Sequence, residues 1–208
     1  MVYSGGDESL LLAAKEVSRY VYLRTGERMP VSSLGSRRRL SALPAGDVVL
    51  VALDSDDAVS SLRGQLGSST SAGGYLIKSV SEGGRTVLVI AGYDASATLV
   101  AAYRYAELIG VGFGFEGDAI PDEVTSLRLS GFDELGEPRF TVRGVQPFHD
   151  FPAGPDLWGT EEWVGIVSQL PKLGLNFIGV HTYTKFNSQY DQSQVSAQGE
   201  CFYSPTPQ

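Results

Sequence analysis

The sequence is short of the residues from which most metal and redox sites are built. It has one cysteine, Cys201, and two histidines, His149 and His181, in 208 residues. One cysteine closes no intramolecular disulfide, and no Cys/His pairing stands at the spacing of a zinc site. Nothing around Cys201 activates a thiol, so it reads as incidental. Cations are scarce too: 16 Lys and Arg against 24 Asp and Glu leave a net charge of −8. Binding a phosphate backbone needs a basic face, so no nucleic-acid partner is expected. The one basic run, Arg37-Arg38-Arg39, sits among Ser, Gly and Leu and reads as a solvated loop. No stretch approaches the ~18 apolar residues of a membrane-spanning helix. No basic segment leads into an apolar run at the N-terminus, so the chain as written shows no signal peptide, and its compartment is unknown. Gly5-Gly6 before a helix and Gly110-Val111-Gly112-Phe113-Gly114 after one lack the strand, glycine-rich turn, helix order of a nucleotide site. They read as a tight turn and a helix stop, and neither cofactor nor metal is expected.

What is present describes a globular protein: 42% hydrophobic and 19% charged residues. Leu10, Ala13, Ala14, Val17, Tyr20, Val21 and Leu23 recur at three and four, which predicts a helix over residues 8–24 with Lys15, Glu16 and Arg19 outside. Asp7 caps it and Gly26 stops it. Residues 47–53 form a continuous apolar run, suited to a strand buried on both faces. Residues 75–80 and 86–91 predict two strands joined as a hairpin through Gly83-Gly84. Between these strands and the first lies one short helix near residues 58–65. A second amphipathic helix covers residues 95–109, with Leu99, Ala102, Tyr103, Ala106 and Ile109 on one side. A turn follows at residues 118–121 and a short strand or connector at 127–129. Residues 1–130 therefore read as a small α/β domain, two helices on a mixed sheet, with a structural job. Residues 131–138, with Gly131, Gly136, Pro138 and several acids, read as a linker.

The pattern then changes to strand, helix, strand. Residues 140–148 predict a strand ending in His149-Asp150. Residues 151–159 form a Pro- and Gly-rich loop that carries Trp158. Thr160 caps a helix with Glu161-Glu162 in its first turn and Trp163, Ile166, Val167, Leu170 and Leu173 as its apolar stripe. Pro171 predicts a kink or an early stop, and Gly174 ends the segment. Residues 175–180 predict a second strand ending in His181-Thr182-Tyr183. Residues 139–183 are read as the first βαβ unit of an incomplete (β/α)8 barrel, a fold that places its chemistry at the C-terminal ends of strands. The candidate substrate-binding residues are His149, Asp150, His181, Tyr183 and Trp158, at the two strand ends and in the loop between them. Neighbouring residues of an extended strand point to opposite sides, so His149 and Asp150 share a pocket only across a bend. Residues 184–208 are polar and aperiodic and read as a disordered tail or loop.

In its order of motifs the chain resembles the N-terminal part of a family 20-type glycoside hydrolase (β-N-acetylhexosaminidase), or a related α-glucuronidase. The matching residues are Ile90-Ala91-Gly92, Ala101-Ala102-Tyr103 to Leu108-Ile109-Gly110, Gly117-Asp118-Ala119-Ile120-Pro121, Pro138-Arg139-Phe140, Arg143-Gly144, and Lys172-Leu173-Gly174-Leu175-Asn176-Phe177 with His181. The resemblance covers nearly the whole chain. It implies a zincin-like α/β domain ahead of a catalytic barrel, a carbohydrate partner, hydrolysis of O-glycosidic bonds, and a structural role for Arg143. Secreted or lysosomal placement is common in that family. The hexosaminidase pattern has a sugar-gripping Arg-His near the end of the first strand, where this chain has His149-Asp150-Phe151. The acid expected three positions after His181 falls on Thr184. Both departures count against N-acetylhexosamine specificity, and the His149-Asp150 pair is closer to a uronic-acid-type or otherwise divergent glycosidase. The family's catalytic Asp-Glu pair ends strand four, and glycoside hydrolysis needs two carboxyl groups or one acid and a substrate amide. The expectation is that these 208 residues alone do not hydrolyse glycosides. The alternative is a non-catalytic carbohydrate-binding or interaction module.

Overall fold

The computed structural model describes residues 1–3, 7–35, 40, 43, 45–147 and 154–180. Gly5-Gly6, Arg37-Arg38-Arg39, the His149-Asp150 pair and residues 181–208, with the tail expectation, lie outside these.

A mixed sheet with helices on both faces makes up the first part of the chain. Strand β1 (Val2–Tyr3) leads to helix α1 (Glu8–Thr25), then β2 (Ser32–Ser33) and β3 (Val48–Leu53). The short helices α2 (Asp57–Ser60) and α3 (Arg63–Leu66) follow, then strands β4 (Tyr75–Glu82) and β5 (Arg85–Gly92) and helix α4 (Ala95–Leu108). Strands β6 (Gly112–Gly114) and β7 (Gly117–Ala119) form a small antiparallel hairpin, and β8 (Asp133–Gly136) returns to the main sheet. The sheet order is β2-β1-β3-β5-β4-β8. β2, β1, β3 and β5 run parallel; β4 is antiparallel to β5, and β8 to β4.

The apolar run of β3 sits at the centre, where a strand covered on both faces has no polar side to show. Val49 and Val51 face α1 and α4. Leu50 and Ala52 face α2, α3 and the loop residues Leu34 and Leu40. Both faces of the sheet are therefore covered, as the continuous apolar run of residues 48–53 requires. The single helix expected near residues 58–65 is two one-turn helices, interrupted after Ser60. Gly83 and Gly84 have φ of 59° and 80°, so the hairpin closes in two residues and the strands run longer than predicted.

α1 begins at Asp7, whose Oδ1 accepts from the Ser9 N–H at 2.7 Å, and stops at Gly26. The inward residue at its end is Arg24, only 7% exposed; Leu23 is outside at 39%. Arg24 donates to the carbonyls of Ile109 (2.9 Å), Pro121 (2.9 Å) and Glu123 (2.6 Å). It supplies the hydrogen bonds that this irregular stretch cannot make with itself.

Two further expectations are corrected. Asp118, read as part of a turn, lies in β7. The stretch 131–138, read as a linker, contains edge strand β8, while residues 127–129 form no strand. β8 is held by the Glu134 carboxylate, which accepts from Arg104 on α4 at 2.7 and 3.1 Å and from the Tyr75 hydroxyl at 3.2 Å.

The last described part is strand β9 (Gly144–Val145), helix α5 (Thr160–Gln169), a 3-10 turn at Pro171–Leu173, and strand β10 (Phe177–Ile178). β9 and β10 pair in parallel, so α5 lies within a βαβ connection. Both strands are shorter than predicted. Gly159, not Thr160, occupies the N-cap position, and no side chain caps the helix. Helix α5 ends at Gln169, just before Pro171, which cannot donate the next helical hydrogen bond.

Candidate functional site

Sequence reasoning placed the site where the strands of the βαβ unit end. β9 and β10 are locked in register by their backbone and by two side chains. Gly144 stands beside Phe177, where any Cβ would collide with the Phe177 carbonyl, so only glycine fits. Arg143 donates from Nε to the Gly174 carbonyl at 2.9 Å and from Nη1 to the Phe140 carbonyl at 2.6 Å. Asn176 accepts from the Arg143 N–H at 2.9 Å and donates to the Thr141 carbonyl at 2.9 Å. Arg143 thus ties the start of one strand to the approach of the other, a structural task. Parallel pairing makes Gln146-Pro147 and Gly179-Val180 leave the two strands at the same end. His149, Asp150, His181 and Tyr183 follow these residues in sequence but lie outside the described residues.

Trp158 is the one candidate within them. It is half-buried, and its ring meets Trp163 of α5 edge-on, with centroids 5.1 Å apart and planes at 70°. This contact fastens the loop to the helix and leaves part of the ring accessible. Gln146, Pro147, Gly179 and Val180 bring no carboxylate to the strand ends. No group of three His, Cys, Asp or Glu residues able to hold a metal occurs among the described residues. No helix among them is long and apolar enough to cross a membrane.

A different polar cluster is fully formed, at the seam between the βαβ unit and the α/β domain. Asp118 on β7 accepts from Lys172 at 2.7 Å and from the Tyr20 hydroxyl of α1 at 2.7 Å. Arg19 stands 3.5 Å from the same carboxylate and 3.4 Å from Glu16. Gln169 fits between its neighbours with its amide nitrogen donating to the Gly114 carbonyl and its oxygen accepting from Lys172, each at 3.2 Å. Tyr20, Tyr103 and Phe113 meet edge-to-face around this point, with centroids 5.4 to 6.3 Å apart. The Lys172 ammonium lies 5.7 Å from the centre of Phe113 and 6.0 Å from that of Tyr103, within reach of the ring faces.

The electrostatics follow from burial and from the partners. Burial alone would raise the Asp118 carboxyl; hydrogen bonds from Lys172 and Tyr20 and the charges of Lys172 and Arg19 outweigh it, so the pKa ends below the ordinary 3.8. The Tyr20 hydroxyl is pushed well above its ordinary value, first by burial and then by its bond to Asp118. Tyr103 rises through burial and the nearby Glu16 charge. These tyrosines stay protonated, and Asp118 stays charged. Such a cluster fastens two parts of a chain together.

Sequence reasoning did not find this seam, because its members are 54 and 98 positions apart along the chain. A faint signal existed: Lys172 is a lone cation within Leu170-Pro171-Lys172-Leu173, and Asp118 is one of two acids, with Glu116, between Phe113 and Ile120. No protein-family profile matches the chain, and no curated protein matches it either.

Proposed function

We propose that the chain belongs to a carbohydrate-active protein built like the family 20-type glycoside hydrolases. Its α/β domain carries the opening βαβ unit of a (β/α)8 barrel, and the reaction served is acid/base hydrolysis of an O-glycosidic bond. His149, Asp150, His181, Tyr183 and Trp158 form the corner of the substrate pocket supplied by this segment. The acid/base carboxylates come from later barrel strands, so the 208-residue chain by itself does not hydrolyse glycosides.

The observation that carries this reading is the state of the βαβ unit. Among the described residues β9 and β10 pair only with each other, so each has an open outer edge. Val164 and Val167 of α5 are 62% and 46% exposed, and Leu157 just before it is 63% exposed. An isolated two-stranded pair with an apolar helix over it is a poor fold but a suitable first segment for a closing barrel.

Sequencing the full transcript and assaying both products tests the proposal. The expected transcript encodes further βα units with an Asp-Glu pair at a later strand end. Its product releases chromogenic uronides or N-acetylhexosaminides, and the 208-residue chain releases neither. A transcript without such units, or sugar release by the chain itself, overturns it.

A further inference from the structure

Next to the seam, and sharing Arg19 with it, the outer side of α1 forms a groove with the chain segment that leads into β2. Its volume is about 690 Å³, it is open to solvent, and its walls include Lys15, Arg19, Tyr22, Arg28 and Pro30. That volume falls within the range of ligand pockets, roughly 300–1,000 Å³. The groove has a fixed frame: Ser18 on α1 donates to the Met29 carbonyl at 2.6 Å, which holds residues 28–31 against the helix.

Its charge is opposite to that of the molecule. The chain carries −8 overall, yet three cations and no carboxylate line the groove. Arg19 is partly neutralised by Glu16 and Asp118. Lys15 and Arg28 are exposed and have no ion-pair or hydrogen-bond partner among the described residues. Lys15, Arg19 and Tyr22 follow one another at four and three along α1 and so share a stripe, while Arg28 belongs to the facing wall. Positive charge is thus distributed along both walls rather than focused on one point. Tyr22 is 51% exposed, and with Pro30 it adds apolar surface among the charges.

We propose that this groove binds an anionic oligosaccharide, one that carries carboxylate or sulfate groups along its length. Spaced cations match charges repeated from sugar to sugar, and an accessible tyrosine ring suits the C–H face of a pyranose. The choice of a saccharide over another polyanion rests on the carbohydrate-active reading above; the groove, its frame and its charge do not.

The test is a calorimetric titration of the 208-residue chain with a hexameric oligogalacturonate, an uncharged maltohexaose and a hexaglutamate peptide. The oligogalacturonate is expected to bind with an affinity that falls as salt rises, and the neutral sugar is expected not to bind. The double variant K15Q/R28Q should lose about tenfold in affinity or more, as removal of two charge contacts implies. Both side chains are exposed, so its melting temperature should equal that of the parent. Hexaglutamate binding as strong as the oligogalacturonate overturns the saccharide assignment. Absence of oligogalacturonate binding, or undiminished binding by the variant, overturns the site. The readout is binding and requires no hydrolysis, so a failed activity assay leaves this outcome independent.

Discussion

Lys172 brings a full positive charge to a place where 9% of its side chain remains accessible, and Asp118 meets it with 11% accessible. Two charges taken out of water are costly unless each is paired and the remaining lone pairs are used. Here Tyr20 and Arg19 complete Asp118, and Gln169 completes Lys172. Removing one partner leaves the other buried and underserved, so Lys172→Met should cost about 2 kcal/mol or more at neutral pH, read by urea unfolding. The pH dependence follows from the direction of the Asp118 shift. Its folded pKa lies below the ordinary 3.8, so the stabilisation is fully present above that value and is lost as pH falls through the lower folded value. The stability gap between the parent and Asp118→Asn should therefore be largest near neutrality and shrink when melting temperatures are followed from about pH 6 to about pH 2. A gap that does not change over that range would show that the charge of Asp118 contributes nothing. Individual residues of this kind were the least legible in the sequence. Arg24 follows an apolar helix face and looks like a solvated last-turn cation, but its partners lie 85 to 99 positions away. Local pattern carries no information about contacts at that distance.

Elements were legible in proportion to how much apolar surface they bury. α1, α4, β3 and the β4–β5 hairpin all follow from periodicity or a continuous apolar run, because burial on a defined face selects those residues. β8 was missed because an edge strand of Asp, Glu, Leu and Gly has neither alternation nor length; its pairing with β4 and the Glu134–Arg104 contact define it. The stripe on α5 was read correctly as apolar, but only Leu170 at its end is buried, at 6% exposure. Of the candidate site, periodicity gave the two strands and the crossover, and the structure places Trp158. Close element packing was also partly hidden. The end of β5 touches the start of α4 at Gly92, where a Cβ would collide with the backbone of Ala97 and Thr98. The Gly92 N–H donates to Thr98 Oγ1 at 3.1 Å across that contact. Gly92→Ala must push strand and helix apart, and a loss of about 3 kcal/mol or more in urea unfolding is expected. Gly165→Ala on α5 is the control, because nothing lies within 4 Å of the added carbon. There the better helix propensity of alanine should leave stability unchanged or raise it by up to about 1 kcal/mol. A Gly92→Ala variant as stable as the parent would contradict the close approach.

At the scale of the whole molecule, two parts that bury apolar surface unequally share one chain. The sheet of the α/β domain has both faces covered, and Val49, Leu50, Val51 and Ala52 of β3 are wholly buried. The βαβ part exposes Phe140 (70%) and Val142 (57%) ahead of β9 and the valines of α5, and it meets the domain through the Pro171–Leu173 turn, which packs on α4 and β6 and carries Lys172 to Asp118. Local opening costs little where few apolar contacts are lost. Amide hydrogen exchange should therefore separate the halves: β3 and β5 exchange only through global unfolding, and α5 and β10 exchange about 100-fold faster or more. Lys172→Met should speed exchange in α5 and β10 further and leave β3 unchanged, since the Lys172–Asp118 pair is one of the ties between that part and the domain. Equal protection in both halves would contradict this ordering. The same measurement on a longer transcript product bears on the proposed barrel. If further βα units cover α5 and pair with the open edges of β9 and β10, the amides of α5 should slow toward the rate of β3. If α5 exchanges as fast there as in the 208-residue chain, its apolar face stays uncovered and no barrel closes on it.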